Sequence, residues 1–224
     1  MGAHVTFVQG PTSYQGRRSP VMGNAVGQMR AVDQALRDCG RNFMPFVVIE
    51  DDVSWTNDAL ANPVIQVPGD ADALYLGISM CAVLPNGPRF WGDKGEHLIL
   101  SNTNSTRDVV RIYNMLGGHA IMFLTPAYAA AFCRADMEAS LRGFISDTVF
   151  SRLQAYYTVY AVRKTKLFQD AIVGGQEEVT RKDLTFSNAP FVSSEQVQLQ
   201  LQAYRSFAPL CVLQDGMLPS WSIM

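Results

Sequence analysis

Phe46-Val47-Val48-Ile49-Glu50-Asp51-Asp52 is the stretch on which the reading of this chain turns. Extended upstream through Phe43-Met44-Pro45, it is a continuous apolar run without polar alternation. That is the pattern of a strand covered on both faces. The run stops at three carboxylates, and adjacent like charges repel one another, more so when buried. A divalent cation relieves the repulsion. Hard oxygen ligands suit Mg2+ or Mn2+, which take one or two carboxylates and fill the shell with water or substrate phosphates. Alternation along an extended chain puts Glu50 and Asp52 on one side and Asp51 on the other. The segment by itself is equally compatible with an inert, solvated acidic turn.

Outward from this stretch, strands and helices alternate. Upstream, His4 to Gln9 reads as a first strand, and residues 10 to 23 as a loop carrying Arg17 and Arg18. Ala25, Met29, Val32, Leu36 and Cys39 share one helical face, with Gly40 as the stop. Downstream, Ala73 to Ser79, Val109 to Tyr113, Ala120 to Leu124 and Thr158 to Val162 read as strands. Thr125-Pro126 is an N-cap and first position for a helix through about Arg142. Asp147 reads as the cap of a helix reaching Tyr156. Residues 84 to 104 read as a long polar loop, and 163 to 192 as irregular. Alternation of this kind predicts an α/β fold with an open sheet, largely parallel in its N-terminal half and flanked by helices. Ligands then bind outside the carboxyl ends of the strands, which is where the acidic triplet falls.

Composition narrows the class. The chain has 224 residues, 48% hydrophobic and 17% charged, with a formal net charge of −2. The length predicts one domain over 1–224, with residues 193–224 as a final helix and a wrapping tail. Disordered and coiled-coil classes are excluded, and a strongly basic nucleic-acid protein is disfavoured. Cys39, Cys81, Cys133 and Cys211 are widely spaced and read as reduced, buried small hydrophobes. No stretch is apolar enough to span a membrane, and the first residues lack the pattern of a signal peptide. These features predict a cytoplasmic protein.

With its surroundings, Val48-Ile49-Glu50-Asp51-Asp52 resembles the family 25 glycosyltransferases, the lipooligosaccharide and collagen galactosyltransferases. The resemblance extends, in order, over about residues 5 to 180. It takes in the helix from Gly23 to Leu36 and Asp72-Ala73-Leu74-Tyr75-Leu76-Gly77. Gly117-Gly118-His119-Ala120, Asp147 and the segment Gln176 to Thr180 follow. Two family elements are not intact. Gly27-Gln28-Met29-Arg30 is the nearest match to Gly-Cys-x-x-Ser-His, and Gln9-Gly10 with Arg17-Arg18 replaces the usual element after the first strand.

The resemblance implies a GT-A-like fold and an inverting, metal-dependent transfer of a sugar from a nucleoside diphosphate donor, favouring UDP, to a hydroxyl acceptor. It implies Asp52 as metal ligand, with Glu50 on the ribose or a metal-bound water, and a Mn2+ or Mg2+ cofactor. Asp147 becomes the candidate general base, against the plain alternative of a helix cap. Glu177, Glu178 and Asp170 are its rivals. Asp51 and Asp72 join the donor side, and Arg17 and Arg18 offer guanidinium groups to the diphosphate. His119 is a further candidate for the metal, although a histidine beside a Gly-Gly turn is more often held structurally. Phe90 and Trp91 could close over a sugar. The acceptor is a glycan, a protein or another hydroxyl compound. Two other readings stand beside this one: glycosylation of modified bases in phage DNA, and a non-catalytic nucleotide-binding or scaffold protein with a decayed acidic site.

Overall fold

The computed structural model describes residues 5–10, 20–78, 99–169 and 191–192, together with Glu195 and Gln198. Its elements run α1 (Pro20–Cys39), β1 (Phe46–Ile49), β2 (Val53–Trp55), α2 (Asn57–Ala61), β3 (Ala73–Tyr75), β4 (Ile99–Ser101) and β5 (Val109–Tyr113). Then follow β6 (Ala120–Phe123), α3 (Pro126–Arg142), α4 (Ser146–Phe150), a 3-10 turn (Ser151–Ala155), β7 (Val159–Val162), β8 (Leu167–Gln169) and β9 (Phe191–Val192). Seven strands form one mixed sheet in the order β1-β6-β3-β7-β5-β4-β9, and β2 pairs with β8 as a separate ribbon. The α/β class expected from the alternation is the class observed.

The sheet is more antiparallel than its sequence suggests. β6 inserts between β1 and β3 and runs against both, while β3 and β7 are parallel. β1 and β3 therefore share a direction without touching. Among the described residues β1 is also an edge strand, and Val47 and Ile49 are 37% and 44% exposed where cover on both faces was expected. Val5 to Gln9, expected as a strand, is exposed irregular chain with Phe7 94% exposed. The expected polar loop ends early, in β4, and the segment expected to be irregular contains β8. The helix after residue 145 ends as α-helix at Phe150 and continues as a 3-10 turn. Cys39 and Cys133 are free thiols, half-buried where full burial was expected. Cys81, Cys211, Phe90, Trp91 and most of the expected C-terminal helix and tail lie outside the described residues.

α1, α3 and α4 pack together over the sheet. Local signals set α3. The Thr125 hydroxyl accepts the Tyr128 N–H at 3.3 Å, Pro126 opens the helix, and Gly143 closes it at φ 67°. Aromatic rings join the layers. Phe46 stacks on Phe123 at 5.0 Å, Phe123 meets the Phe132 ring edge-on at 5.2 Å, and Phe132 stacks on Phe150 at 4.9 Å. This chain of rings carries β1, β6, α3 and α4 as one unit. It thereby ties the start of β1 to the end of α4.

Asp72 ties the other end of the sheet. Its carboxylate accepts the Thr125 hydroxyl at 2.8 Å and the Thr158 N–H at 2.7 Å, joining the starts of α3 and β7 to β3. Hydrogen bonds to a charged acceptor contribute about 1.5–3 kcal/mol each. Asp72→Ala is therefore expected to lower unfolding stability by about 2–4 kcal/mol. Urea denaturation with an unchanged slope checks it, and a loss below half a kilocalorie would remove this tie from the account.

Candidate functional site

The carboxyl ends of β1 and β3 and the start of β6 form one rim of the sheet, by the register Ile49 opposite Ala120 and Tyr75 opposite Ile121. Glu50 follows β1 directly, and its N–H donates to the His119 carbonyl at 2.9 Å. Asp51 and Asp52 make the turn into β2. Asp51 is exposed, whereas Glu50 and Asp52 are half-buried, which is the separation of sides expected from alternation.

Three amides hold the Glu50 carboxylate. On Oε1 it accepts Gln28 Nε2 at 2.6 Å and Asn24 Nδ2 at 3.2 Å, and on Oε2 it accepts Gln169 Nε2 at 2.9 Å. Gln169 also hydrogen-bonds Asp52, so one amide at the end of β8 spans the two carboxylates. Burial, then the charges of Asp147 and Asp52, push the Glu50 carboxyl up to about 7 against the pull of the amides. Burial also raises Asp52, and its Oδ1 is buried without a hydrogen-bond partner.

Asp147 reaches the same rim. Its Oδ2 accepts the Gly117 N–H at 2.9 Å, just before β6, and Ser146 Oγ lies 3.4 Å from Oδ1. Ile145, not Asp147, occupies the cap position of α4, and it makes no side-chain cap bond. The expected capping role is therefore not the one its carboxylate performs. A carboxylate in the first turn of a helix is ordinarily lowered by the dipole, yet the Asp147 pKa moves upward. Burial raises it, and the Gly117 and Ser146 hydrogen bonds only partly oppose that.

The structure separates the other candidates. Asp72 lies at the opposite end of β3 with its carboxylate committed to Thr125 and Thr158, so it is removed from the donor-side set. His119 stands on the rim, but its side chain is only 2% exposed and lies against Gly77. Burial pushes its imidazole down to about 4, and Nε2 has no hydrogen-bond partner. Arg17, Arg18, Asp170, Glu177 and Glu178 lie outside the described residues. Among the described residues, no three His, Cys, Asp or Glu side chains are grouped to hold a metal by themselves.

Sequence reasoning missed Asn24, Gln28, Gln169 and Asp136. Asn24 and Gln28 are one helical turn apart, and a polar i,i+4 pair beside the apolar face of α1 was the available signal. Asp136 in α3 is 0% exposed, and neither carboxylate oxygen has a hydrogen-bond partner. Burial, then the charges of Asp147 and Glu50, hold it well above the usual carboxylate range. Its burial and the two carboxyls that repel it all favour the protonated form. Among the described residues, none of the three belongs to an ion pair.

Comparisons with protein-family models, with curated proteins and with solved structures give no match.

Two predictions follow from this geometry. Gly77 must lack a side chain, because a Cβ there would overlap the His119 imidazole. Gly77→Ala is expected to cost about 1–3 kcal/mol through overpacking. Added to His119→Ala, the same change should cost almost nothing, a non-additivity that a double-mutant cycle reads directly. Equal costs in the two backgrounds would show that the ring is not what excludes the methyl group.

The second concerns pH. A carboxyl whose folded pKa lies above its unfolded value keeps its proton longer in the folded chain. For Glu50 that contribution is present in full below its ordinary value of 4.5 and is lost as pH rises to about 7. In chelator, wild-type unfolding stability should fall across this window, with Glu50 contributing about 1–3 kcal/mol. Glu50→Gln should show a shallower fall. Denaturation curves from pH 4 to pH 8 test it, and parallel profiles for the two proteins would refute the assignment.

Proposed function

We propose that the chain is a metal-dependent glycosyltransferase of GT-A-like design, moving a sugar from a nucleoside diphosphate donor, favoured as UDP, to a hydroxyl acceptor with inversion. The observation that carries this reading is the convergence of Glu50, Asp52 and Asp147 on one rim, with Gln169 spanning Glu50 and Asp52. The donor set fits a hard cation. Glu50 and Asp52 would hold it, since Asp52 Oδ1 is buried without a partner and the two carboxylates repel each other. With two protein carboxylates, the remaining ligands are the donor phosphates and water, the usual arrangement for Mg2+ and Mn2+. When bound, the cation supplies charge stabilisation to the departing diphosphate.

The chain's own residues supply the rest. Asn24, Gln28 and Gln169 fix the rotamer of Glu50, so the carboxylate is oriented before a donor arrives. Asp147 is anchored through Oδ2 to the Gly117 amide, while Oδ1 has only the long contact to Ser146. Oδ1 is thus the atom to take the proton from an acceptor hydroxyl attacking the anomeric carbon. Its raised pKa brings the carboxylate closer to neutral pH, where a general base works best.

The test is a thermal-shift panel of nucleotide sugars with and without Mn2+, followed by turnover assays. A donor should raise the melting temperature only with the cation present. Asp52→Asn should abolish turnover with the fold intact, and chelator should do the same to wild type. Asp147→Asn should lower turnover by a factor of about 10²–10⁴ and leave donor binding unchanged, because its amide oxygen can still accept the Gly117 N–H. Full turnover in excess chelator defeats the metal assignment. A wild-type rate in Asp147→Asn defeats the base assignment, and absence of donor binding would favour the scaffold reading.

A further inference from the structure

The β2–β8 ribbon has two chemically different ends. Val53 lies opposite Gln169 at the end that holds Glu50 and Asp52, and Trp55 lies opposite Leu167 at the other. Beyond Trp55 and Leu167 opens a cavity of about 480 Å³. Its wall carries Arg107, Arg163, Lys164 and Lys166 against Asp58 and Asp108, four cations to two carboxylates, in a chain of formal net charge −2. Positive charge is concentrated here although the whole chain is weakly acidic.

The two carboxylates brace the wall. Asp58 accepts Lys166 Nζ at 2.5 Å, and Lys166 also donates to the Asn62 carbonyl at 3.0 Å. Asp108 accepts the Gln66 N–H at 2.9 Å and lies 3.3 Å from Arg107 Nε. Arg163 Nε donates to the Thr106 carbonyl at 2.9 Å, which fixes its guanidinium plane. Arg107 and Lys164 form the rim, with side chains 86% and 69% exposed. Fixed donors behind and exposed cations in front are what a tetrahedral anion uses, since each phosphate oxygen accepts charge-assisted hydrogen bonds. Exposed Val64 on the same wall offers a small apolar surface for a sugar ring.

We propose that this cavity is a binding site for the phosphate of a phosphorylated sugar, and that this sugar is the acceptor. The acceptor role rests on the glycosyl-transfer reading, whereas the phosphate site does not. Lys166 and Gln169 are three residues apart along the ribbon, a span of ~10 Å. The cavity and the Glu50 end therefore lie at the two ends of one short ribbon, and this proximity is what assigns the acceptor role to the sugar. The cations line one bounded cavity rather than a stripe, and nucleic acid is bound along stripes and grooves. A small anionic sugar is thus favoured over a polynucleotide.

Calorimetric titration of the full chain, without donor or metal, tests the site with glucose 6-phosphate, inorganic phosphate, glucose and a DNA duplex. Glucose 6-phosphate is expected to bind at least about tenfold more tightly than glucose, and less tightly as salt rises. The double variant Arg107→Gln/Lys164→Gln changes only exposed side chains and should keep the wild-type melting temperature. It should weaken glucose 6-phosphate binding by about tenfold or more. No binding by wild type, equal affinity in the double variant, or binding of the duplex in place of the sugar phosphate would each overturn the site. Donor turnover separates the two readings. Wild type that binds the sugar phosphate but turns over no donor keeps the site and loses the acceptor role. Turnover without sugar phosphate binding overturns the site and leaves the transferase reading standing.

Discussion

Glu50 sits where three structural units meet, two of them holding its carboxylate and the third its backbone N–H. α1 supplies Asn24 and Gln28, β8 supplies Gln169, and the Glu50 backbone closes onto the His119 carbonyl before β6. The donors are amides, and this choice has an electrostatic consequence. An arginine or lysine would cancel the charge and hold the carboxyl low. Amides orient it and only partly stabilise it, so burial and the neighbouring carboxylates win and the group rises to about 7. The rim stays electronegative and poised between two protonation states. That condition disfavours folding at neutral pH and favours capture of a cation.

Tight packing carries that tension into the core. The rings of Phe46, Phe123, Phe132 and Phe150 tie β1 to α4, and the Gly117 N–H holds Asp147 on the rim that carries Glu50. Asp136 is enclosed beside them with both oxygens unpaired. Three carboxyl groups within one another's field can be kept only if at least one is neutral or a positive ion is shared. Asp136, fully enclosed, is pushed toward its neutral form by burial and by both neighbours. The layered aromatic core is thus the reason that the acids are enclosed together; burial moves their pKa values first, and for Glu50 and Asp136 the neighbouring carboxylates add to it.

What the residues disclosed by themselves follows from how local each signal is. α3 was legible in its start and closely in its end, because its N-cap, first-position proline and closing glycine are all contained in 125–143. β1 was legible as a strand but not as an edge. An unbroken apolar run looks the same whether both faces are covered or one margin is open, and the insertion of β6 beside it is a long-range choice. Val5 to Gln9 has strand composition and no strand, because pairing depends on a neighbour and not on propensity. The acidic triplet could be found from charge alone. Its amide cradle could not, since Gln28 and Gln169 meet Glu50 across 22 and 119 residues of chain. Asp136 was hidden for the same reason, as an acid on a helix is ordinarily solvated.

Asp147 shows how a competition of effects must be settled in three dimensions. Its place in the first turn of α4 argues for a lowered pKa, through the helix dipole and the Gly117 N–H. A helix of five residues has few aligned peptides to supply that dipole, and the effect falls off within a turn. Desolvation acts on the whole carboxylate and is not reduced by helix length. The balance therefore moves upward, and the hydrogen bond to Gly117 serves to aim the group rather than to acidify it. A carboxylate aimed by one oxygen and raised by burial is suited to accept a proton with the other. The same residue in a longer, more exposed helix would be a cap and nothing more.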